Sequence, residues 1–177
     1  MDIYIDEATA SDLPAILSLY AQLGQDDGRV LDPVAAGHIF ARMQTYPDYR
    51  LYVVHHADRV AATFALLIMD NLGHCGARSA ILEDVVVAEE MRGQGIGRLI
   101  LAHVVALCRG KACYKLALSS NRHREAAHRF YESLGLERHG YSYLLPLPRI
   151  KEQRQCEADG GTPPGQAPVF QLQVPTP

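Results

Sequence analysis

Residues 81 to 98 read Ile-Leu-Glu-Asp-Val-Val-Val-Ala-Glu-Glu-Met-Arg-Gly-Gln-Gly-Ile-Gly-Arg, and this stretch decides the fold. Its first seven residues are rich in β-branched side chains, which fit a buried, pleated strand better than a helix. Three glycines then fall on alternate positions (Gly93, Gly95 and Gly97), and apolar residues recur behind them at helical spacing. The order is therefore strand, glycine turn, helix. A helix that begins on glycines offers unpaired backbone N–H groups and the positive end of its dipole, which suit a phosphate or pyrophosphate.

Two familiar phosphate-binding loops do not match this turn. The dinucleotide fingerprint Gly-x-Gly-x-x-Gly, counted from Gly93, needs a third glycine where the chain has Arg98. The P-loop needs a Lys-Ser or Lys-Thr pair after the glycines, and none follows them. The pattern that remains is Arg-x-x-Gly-x-Gly, formed by Arg92, Gly95 and Gly97. An ordinary tight strand-to-helix turn is the alternative explanation.

This pattern resembles the acetyl-coenzyme A motif of the GNAT superfamily of N-acetyltransferases, Gln/Arg-x-x-Gly-x-Gly/Ala. A second stretch, Ala-Ala-His-Arg-Phe-Tyr-Glu-Ser-Leu-Gly-Leu at 126–136, resembles another motif of that superfamily, Ala-x-x-Phe-Tyr-x-x-x-Gly-Phe. The resemblance covers about residues 3 to 145, and the two motifs occur in the expected order. The chain is therefore identified as a member of the GNAT superfamily.

The resemblance implies an α/β fold with a mixed, mostly antiparallel twisted sheet of six to seven strands and about four flanking helices. Hydrophobic periodicity predicts the elements. Strands are predicted at 3–7, 51–56, 60–69, 81–87, 114–118 and 136–145, and helices at 13–23, 33–45, 96–109 and 124–134. Residues 1–148 form the predicted acetyltransferase domain, and 149–177 a Pro/Gly-rich C-terminal tail whose composition cannot pack a core. A weak alternation at 169–174 adds a candidate edge strand.

The resemblance also implies acetyl-CoA as co-substrate, bound along the strand and the turn. The pantetheine arm is expected to pair with backbone groups at the end of the strand, as an added strand would. The pyrophosphate is expected to meet the N–H groups of the turn, where a Cβ would block close approach. The predicted cofactor-binding residues are Val85, Val86, Val87, Arg92, Gly93, Gln94, Gly95, Ile96, Gly97 and Arg98. Asn121 is added as a candidate replacement for the asparagine that many family members carry where this chain has Arg124.

The reaction requires a proton for the thiolate leaving group and a means of deprotonating the amine. A phenol with a pKa of about 10 is a reasonable donor to a thiolate. The resemblance gives this role to Tyr131, and packing under the cofactor is the alternative. Glu83 is the first candidate for the base, with binding of the substrate's ammonium group as an equal alternative. Asp84 is expected to point to the opposite face if the strand is regular.

Composition limits the other function classes. The chain has 177 residues, enough for one domain with a tail, and a net charge of −3 without a basic run, which gives no support for nucleic-acid binding. The four cysteines and eight histidines show no metal-ligand spacing, so no metal is expected. No segment reaches the apolar length of a membrane span, and the early acids Asp2, Asp6 and Glu7 do not fit a secretion signal. A cytoplasmic protein with no membrane partner is expected.

The predicted function is direct transfer of the acetyl group of acetyl-CoA, within a ternary complex, to the primary amine of a small molecule. Residues 83–87 and 113–115 resemble glucosamine-6-phosphate N-acetyltransferases, although Ser119 replaces an acidic residue of those enzymes. Residues 124–131 resemble aminoalkylphosphonate acetyltransferases instead, so the acceptor stays open. A protein or peptide N-acetyltransferase and a non-catalytic acyl-CoA sensor are the alternatives.

Two further expectations follow from the resemblance. In this superfamily the region between the first and second strands lines much of the acceptor pocket, and its polar residues here are Asp26, Asp27 and Arg29. Dimerisation is also common, and the final predicted strand carries apolar side chains that suit either a homodimer surface or core packing. These are Tyr141, Tyr143, Leu144 and Leu145.

Overall fold

The computed structural model describes residues 3–23 and 29–145. The strands are β1 (Ile3–Glu7), β2 (Tyr49–His56), β3 (Arg59–Met69), β4 (Arg78–Val87) and β5 (Cys113–Ala117), and the helices are α1 (Leu13–Ala21), α2 (Pro33–Met43), α3 (Ile96–Gly110) and α4 (Glu125–Ser133). Each of these elements agrees with a predicted one to within three residues at either end. No helix among the described residues is long and apolar enough to cross a membrane.

Side-chain hydrogen bonds stabilise the turn that precedes α1 and the start of α2. The N–H of Thr9 donates to Oδ2 of Asp12 at 2.8 Å, just before α1. Oδ1 of Asp32 accepts hydrogen bonds from the N–H groups of Val34 and Ala35, both at 3.0 Å, at the start of α2. Such contacts satisfy backbone donors that a helix leaves unpaired at its first turn.

The five strands form one sheet in the order β1-β2-β3-β4-β5. The first four strands pair antiparallel, and β5 joins β4 in parallel after the crossover through α3. Among the described residues the sheet is therefore mixed and mostly antiparallel, as predicted.

Helices cover both faces of the sheet. On one face, Ile100 and Val104 of α3 pack with Phe64 of β3 in the larger hydrophobic core. On the other face, Ile16 of α1 and Phe40 of α2 pack with neighbouring residues of β2 and β3. Strand residues alternate between the two cores because successive side chains of a strand point to opposite faces.

The strand predicted at 136–145 does not form, so the described sheet has five strands rather than six or seven. The two tyrosines and two leucines near its end are 80 to 91% exposed. A strand needs a neighbouring strand to accept and donate its backbone hydrogen bonds, and an alternating apolar pattern does not supply that neighbour. The candidate strand at 169–174 and the predicted boundary at residue 148 lie outside the described residues.

Candidate active site

A β-bulge distorts β4 in the middle of the predicted site. Thr63 of β3 faces Val86, whereas Ala65 faces Glu83, so two residues of β4 lie opposite one residue of β3. Asp84, the first of these two, has a φ of +49°. This left-handed conformation is uncommon for residues other than glycine. A bulge redirects side chains, so the face that Asp84 presents does not follow from simple alternation.

The strands β4 and β5 pair over only part of their length. Their partners run from Arg78 to Ile81 on β4 and from Cys113 to Ala117 on β5. Residues 82–87 of β4 therefore have no strand neighbour on that side within the described chain. A cavity of about 170 Å³, the inter-strand cavity, opens between the separated ends. Its polar lining residues are Glu83, Asp84, Ser119, Ser120, Arg124 and Tyr131.

This lining changes the expectation for Asp84 and shows where two predicted residues lie. Asp84 was expected to point away from Glu83, but both line the inter-strand cavity, because the strand is not regular at the bulge. Tyr131 and Glu83, the two predicted catalytic residues, are brought to the same cavity although they are far apart in the chain. Val85 also lines this cavity, whereas Val86 is buried in the sheet.

Tyr131 and Ser120 present polar groups that the protein leaves available. Burial raises the pKa of the Tyr131 phenol above its usual value, although the nearby Arg124 opposes this shift. The phenol therefore stays protonated at neutral pH and can donate a hydrogen bond. Oγ of Ser120 is buried without a hydrogen-bond partner among the described residues. Buried polar atoms are nearly always paired, so a ligand atom is expected to complete this one.

Asp84 is the carboxylate whose pKa is raised by partial burial, while part of its side chain stays exposed. Burial alone raises its pKa, with no positively charged group named among the causes. Burial also raises the pKa of the phenols of Tyr20 and Tyr49, and the negative charge of Asp84 raises both further. Glu83 contributes to the effect on Tyr49. Asp84 is therefore a carboxylate that accepts a proton more readily than usual, close to two phenols.

The glycines of the turn are required for two different reasons. Gly93 and Gly95 have φ values of +76° and +84°, and a Cβ at either position would meet open space, so the backbone conformation is what requires glycine. A Cβ at Gly97 would instead lie 2.7 Å from Cζ of Phe130. Gly97 therefore makes room for the second sequence motif, and the prediction that glycine makes room for the co-substrate stays a prediction.

The first turn of α3 is a candidate anion site. Gly95 is the N-cap, Ile96 begins the helix and is buried, and the first N–H to reach an acceptor within the helix is that of Leu99, which donates to the carbonyl of Gly95 at 3.1 Å. The N–H groups of residues 96–98 precede this bond. They have no intrahelical acceptor and lie at the positive end of the helix dipole. The side chain of Arg98 is exposed beside them.

The side chains of Arg92 and Gln94 are held by the protein itself. Nε of Arg92 donates to the carbonyl of Val87 at 3.2 Å, and its Nη1 lies 3.4 Å from Oε1 of Glu89. Nε2 of Gln94 donates to the carbonyl of Glu90 at 3.1 Å. These contacts tie the turn to the end of β4 and shape it before any ligand binds.

Asn121 lies in the turn that leads into α4. Its Oδ1 accepts from the N–H of His123 at 3.0 Å, and its carbonyl accepts from the N–H of Arg124 at 2.9 Å. Asn121 is not among the residues that line the inter-strand cavity, whereas Arg124 is. Its role in cofactor binding stays a prediction.

The comparisons with known proteins identify the family of this chain. The model of the Acetyltransferase (GNAT) family matches residues 16–136, which is more than half of the chain. The chain belongs to the GNAT family. A solved structure from Agrobacterium tumefaciens str. C58 is 34% identical to this GNAT chain with a TM-score of 0.76, and the match covers 81% of this chain and 99% of the other.

Two relatives carry the name of a sugar-phosphate enzyme. Glucosamine 6-phosphate N-acetyltransferase of Trypanosoma brucei brucei is 33% identical over 89 residues, which is 50% of this chain and 58% of the relative. This GNAT chain therefore matches little more than half the length of that curated relative. The crystal structure of glucosamine-6-phosphate N-acetyltransferase from Arabidopsis thaliana has a TM-score of 0.72 over 84% of this chain and 100% of the other, at 20% identity, which supports the fold alone.

A second, larger cavity adjoins the first. It measures about 310 Å³, lies between α1, α2 and the sheet, and is called the apolar cavity here. Leu23 and Asp84 line both cavities, so the two meet at these residues. Arg29 also lines it, whereas Asp26 and Asp27 lie outside the described residues. Within the described chain, no group of side chains could hold a metal ion.

Sequence reasoning missed Asp84 and Ser120. Nothing in the residues around Asp84 marks a bulge, because the bulge depends on which residues of β3 pair with β4. Ser120 had a weak signal, since it lies three residues after the end of β5, and the ends of neighbouring parallel strands meet at one edge of a sheet.

Proposed function

We propose that this protein transfers the acetyl group of acetyl-CoA directly to the primary amine of a small molecule. The observation that carries the proposal is the inter-strand cavity, where a protonated phenol, two carboxylates and an unpaired buried hydroxyl line one space. Membership of the GNAT family supports the reaction class. Relatives named for an amino-sugar phosphate support a small-molecule acceptor.

The residues present fit acetyl-CoA. The unpaired side of β4 at residues 82–87 offers backbone groups to the amides of the pantetheine arm, in the manner of an added strand. The free N–H groups at 96–98 and the helix dipole suit a pyrophosphate. The buried Oγ of Ser120, which has no hydrogen-bond partner among the described residues, offers one further polar contact to the ligand. Bound acetyl-CoA would supply a thioester whose acyl carbon can accept a nucleophilic amine.

Tyr131 is proposed as the acid of the reaction. It donates its proton to the sulfur as the carbon–sulfur bond breaks, which makes the thiol a better leaving group than the thiolate. Its raised pKa keeps the phenol protonated and ready to donate over the whole neutral range. Arg124, in the same cavity, lowers that pKa somewhat and so eases the loss of the proton.

A carboxylate is proposed to take the proton that the amine loses as the new carbon–nitrogen bond forms. Glu83 keeps its predicted role as base or as ammonium binder, because it lines the inter-strand cavity. Asp84 joins it as a second candidate for the same role. Its raised pKa brings it closer to that of a useful base, and it stands where the two cavities meet.

Replacing Tyr131 by Phe tests the proposal. The change removes the proton but keeps the ring, so kcat for acetyl transfer is expected to fall on the order of 10²-fold, in line with the loss of a general acid. Acetyl-CoA affinity, measured by calorimetry, is expected to stay nearly unchanged. Tyr4→Phe on β1, an exposed tyrosine outside both cavities, is the matched control and is expected to leave kcat unchanged. Unaltered turnover in Tyr131→Phe would remove this residue from the mechanism.

The same assay separates the alternatives. Thiol release is measured with amines, amino sugars, aminophosphonates and peptides as acceptors. Preference for peptides would favour a protein or peptide N-acetyltransferase. Acetyl-CoA binding without acceptor-dependent thiol release in any of these would favour an acyl-CoA sensor.

A further inference from the structure

We propose that the acceptor is a primary amine with an apolar body, which occupies the apolar cavity and places its ammonium group at Asp84. This inference rests on the proposed acetyl transfer and names the substrate class for the same site. It departs from the amino-sugar phosphate that the names of the relatives suggest.

The wall of the apolar cavity consists mostly of apolar side chains. Twelve of the sixteen described residues that line the apolar cavity are aliphatic, Phe or Met, and the polar ones are Tyr20, Arg29, Tyr49 and Asp84. A sugar phosphate carries several hydroxyls and an anion, and each group that loses water there needs a protein partner. Arg29 is the single cation among those sixteen residues, and it already has an interaction of its own. An apolar body gives up no hydrogen bonds to water on entering this cavity, and the burial of its apolar surface is favourable.

Asp84 lies where the apolar cavity meets the inter-strand cavity. It is the only acidic residue among the described lining of the apolar cavity, and it also lines the inter-strand cavity. The described residues form no ion pair with it, and burial alone raises its pKa. A cation that arrives with the ligand would stabilise the carboxylate. An amine held at Asp84 then lies at the passage toward Tyr131, where the acyl group is to be transferred.

The volume of the apolar cavity suits a small acceptor. A cavity of about 310 Å³ lies at the lower end of the range of roughly 300–1,000 Å³ typical of small-ligand sites. It suits one aromatic ring or a short alkyl chain attached to the amine. Leu17 of α1 and Ile39 of α2 line it and are half-buried, so their side chains are available to such a body.

The test compares two acceptors with the full chain and saturating acetyl-CoA. The probes are 2-phenylethylamine, which has an apolar body, and glucosamine 6-phosphate. Thiol release is expected to give a kcat/KM for 2-phenylethylamine at least about tenfold higher, since even one methylene group in an apolar pocket changes this ratio by roughly tenfold or more.

The Ile39→Asn variant tests whether the preference for 2-phenylethylamine arises in the apolar cavity. It is expected to lower kcat/KM for 2-phenylethylamine by roughly tenfold, mainly through KM, while the Kd for acetyl-CoA stays the same. His38→Asn, at the exposed neighbouring position of α2, is the matched control and is expected to stay within about twofold of the parent. Ile39→Val is the milder variant, with a smaller loss in the same direction, and circular dichroism checks that each variant is folded.

Each outcome decides between the two proposals. A preference for glucosamine 6-phosphate would overturn the apolar acceptor but leave acetyl transfer standing. Equal kcat/KM for the Ile39→Asn and His38→Asn variants would show that the acceptor lies elsewhere. Absence of thiol release with every amine would instead overturn the acetyl transfer itself, and the acceptor assignment with it.

Discussion

Replacing Gly97 by Ala tests the contact that joins the two sequence motifs. A Cβ at position 97 would lie 2.7 Å from Cζ of Phe130, and 3.3 and 3.4 Å from its two Cε atoms. Non-bonded carbon atoms normally lie about 3.5–4.0 Å apart. The ring must therefore move by roughly 1 Å. Because overpacking costs roughly 1–3 kcal/mol and this ring is only half-buried, we expect the free energy of unfolding to fall by about 1–2 kcal/mol.

Gly37→Ala provides the matched control. Gly37 lies within α2, and a Cβ there would meet nothing within 4 Å. Alanine is a better helix former than glycine by roughly 0.5–1 kcal/mol, so this variant is expected to be more stable than the parent. The same chemical change should thus have opposite signs in the two helices.

Urea unfolding followed by far-UV circular dichroism measures both effects. Phe130→Leu shortens the side chain that the new methyl group would meet, so Gly97→Ala is expected to cost less in that background. The double-mutant cycle should give a coupling energy of at least about 0.5 kcal/mol. The reasoning is refuted if Gly97→Ala stabilises the protein as Gly37→Ala does, or if the coupling energy is zero.

The remaining predictions concern the turn at 92–98 and the ion pair between Asp48 and Lys111. Gly95→Ala is expected to lower the free energy of unfolding by roughly 1–2 kcal/mol, because φ is +84° there, and Gly95→Asn should cost less in the same urea assay, since Asn tolerates this conformation better. Equal losses would point to a cause other than backbone strain. The hydrogen bond from Lys111 holds the pKa of Asp48 below its usual 3.8, so its stabilisation is present above about pH 4 and is lost as pH falls through the lower folded value. Asp48→Asn should therefore flatten the pH dependence of unfolding below pH 4, and parallel profiles for variant and parent would contradict this.

Most of the secondary structure could be predicted because its signals are local. Helical spacing of apolar residues predicted α3, and α2 begins where Asp32 accepts hydrogen bonds from the N–H groups of the next turn. The predicted strand at 136–145 shows the limit of such signals. Its alternating side chains satisfy the pattern of a strand, but a strand depends on a partner that the pattern does not contain.

The candidate site shows the same difference between features with a local sequence signal and features that depend on tertiary contacts. Tyr131 and the turn at 92–98 were recognised from short motifs. Tyr131 lies in α4 and lines the inter-strand cavity, the turn leads into α3, and the roles of both stay predictions. Asp84 was expected on the opposite face only if the strand is regular, and a bulge of one residue removes that condition. The resemblance implied that the region between β1 and β2 lines the acceptor pocket, but the apolar lining of the cavity depends on how α1, α2 and the sheet pack together.

By itself, the sequence determined the family and the order of elements, because a strand, a glycine turn and a helix within 81–98 are properties of neighbouring residues. Only the tertiary structure decided why Gly97 is glycine, since Phe130 reaches it from a distant segment. It also decided which carboxylate stands between the two cavities, because the pairing of β3 with β4 sets the direction of Asp84. Both depend on contacts between residues that are remote in the chain, and such contacts exist only in the folded molecule.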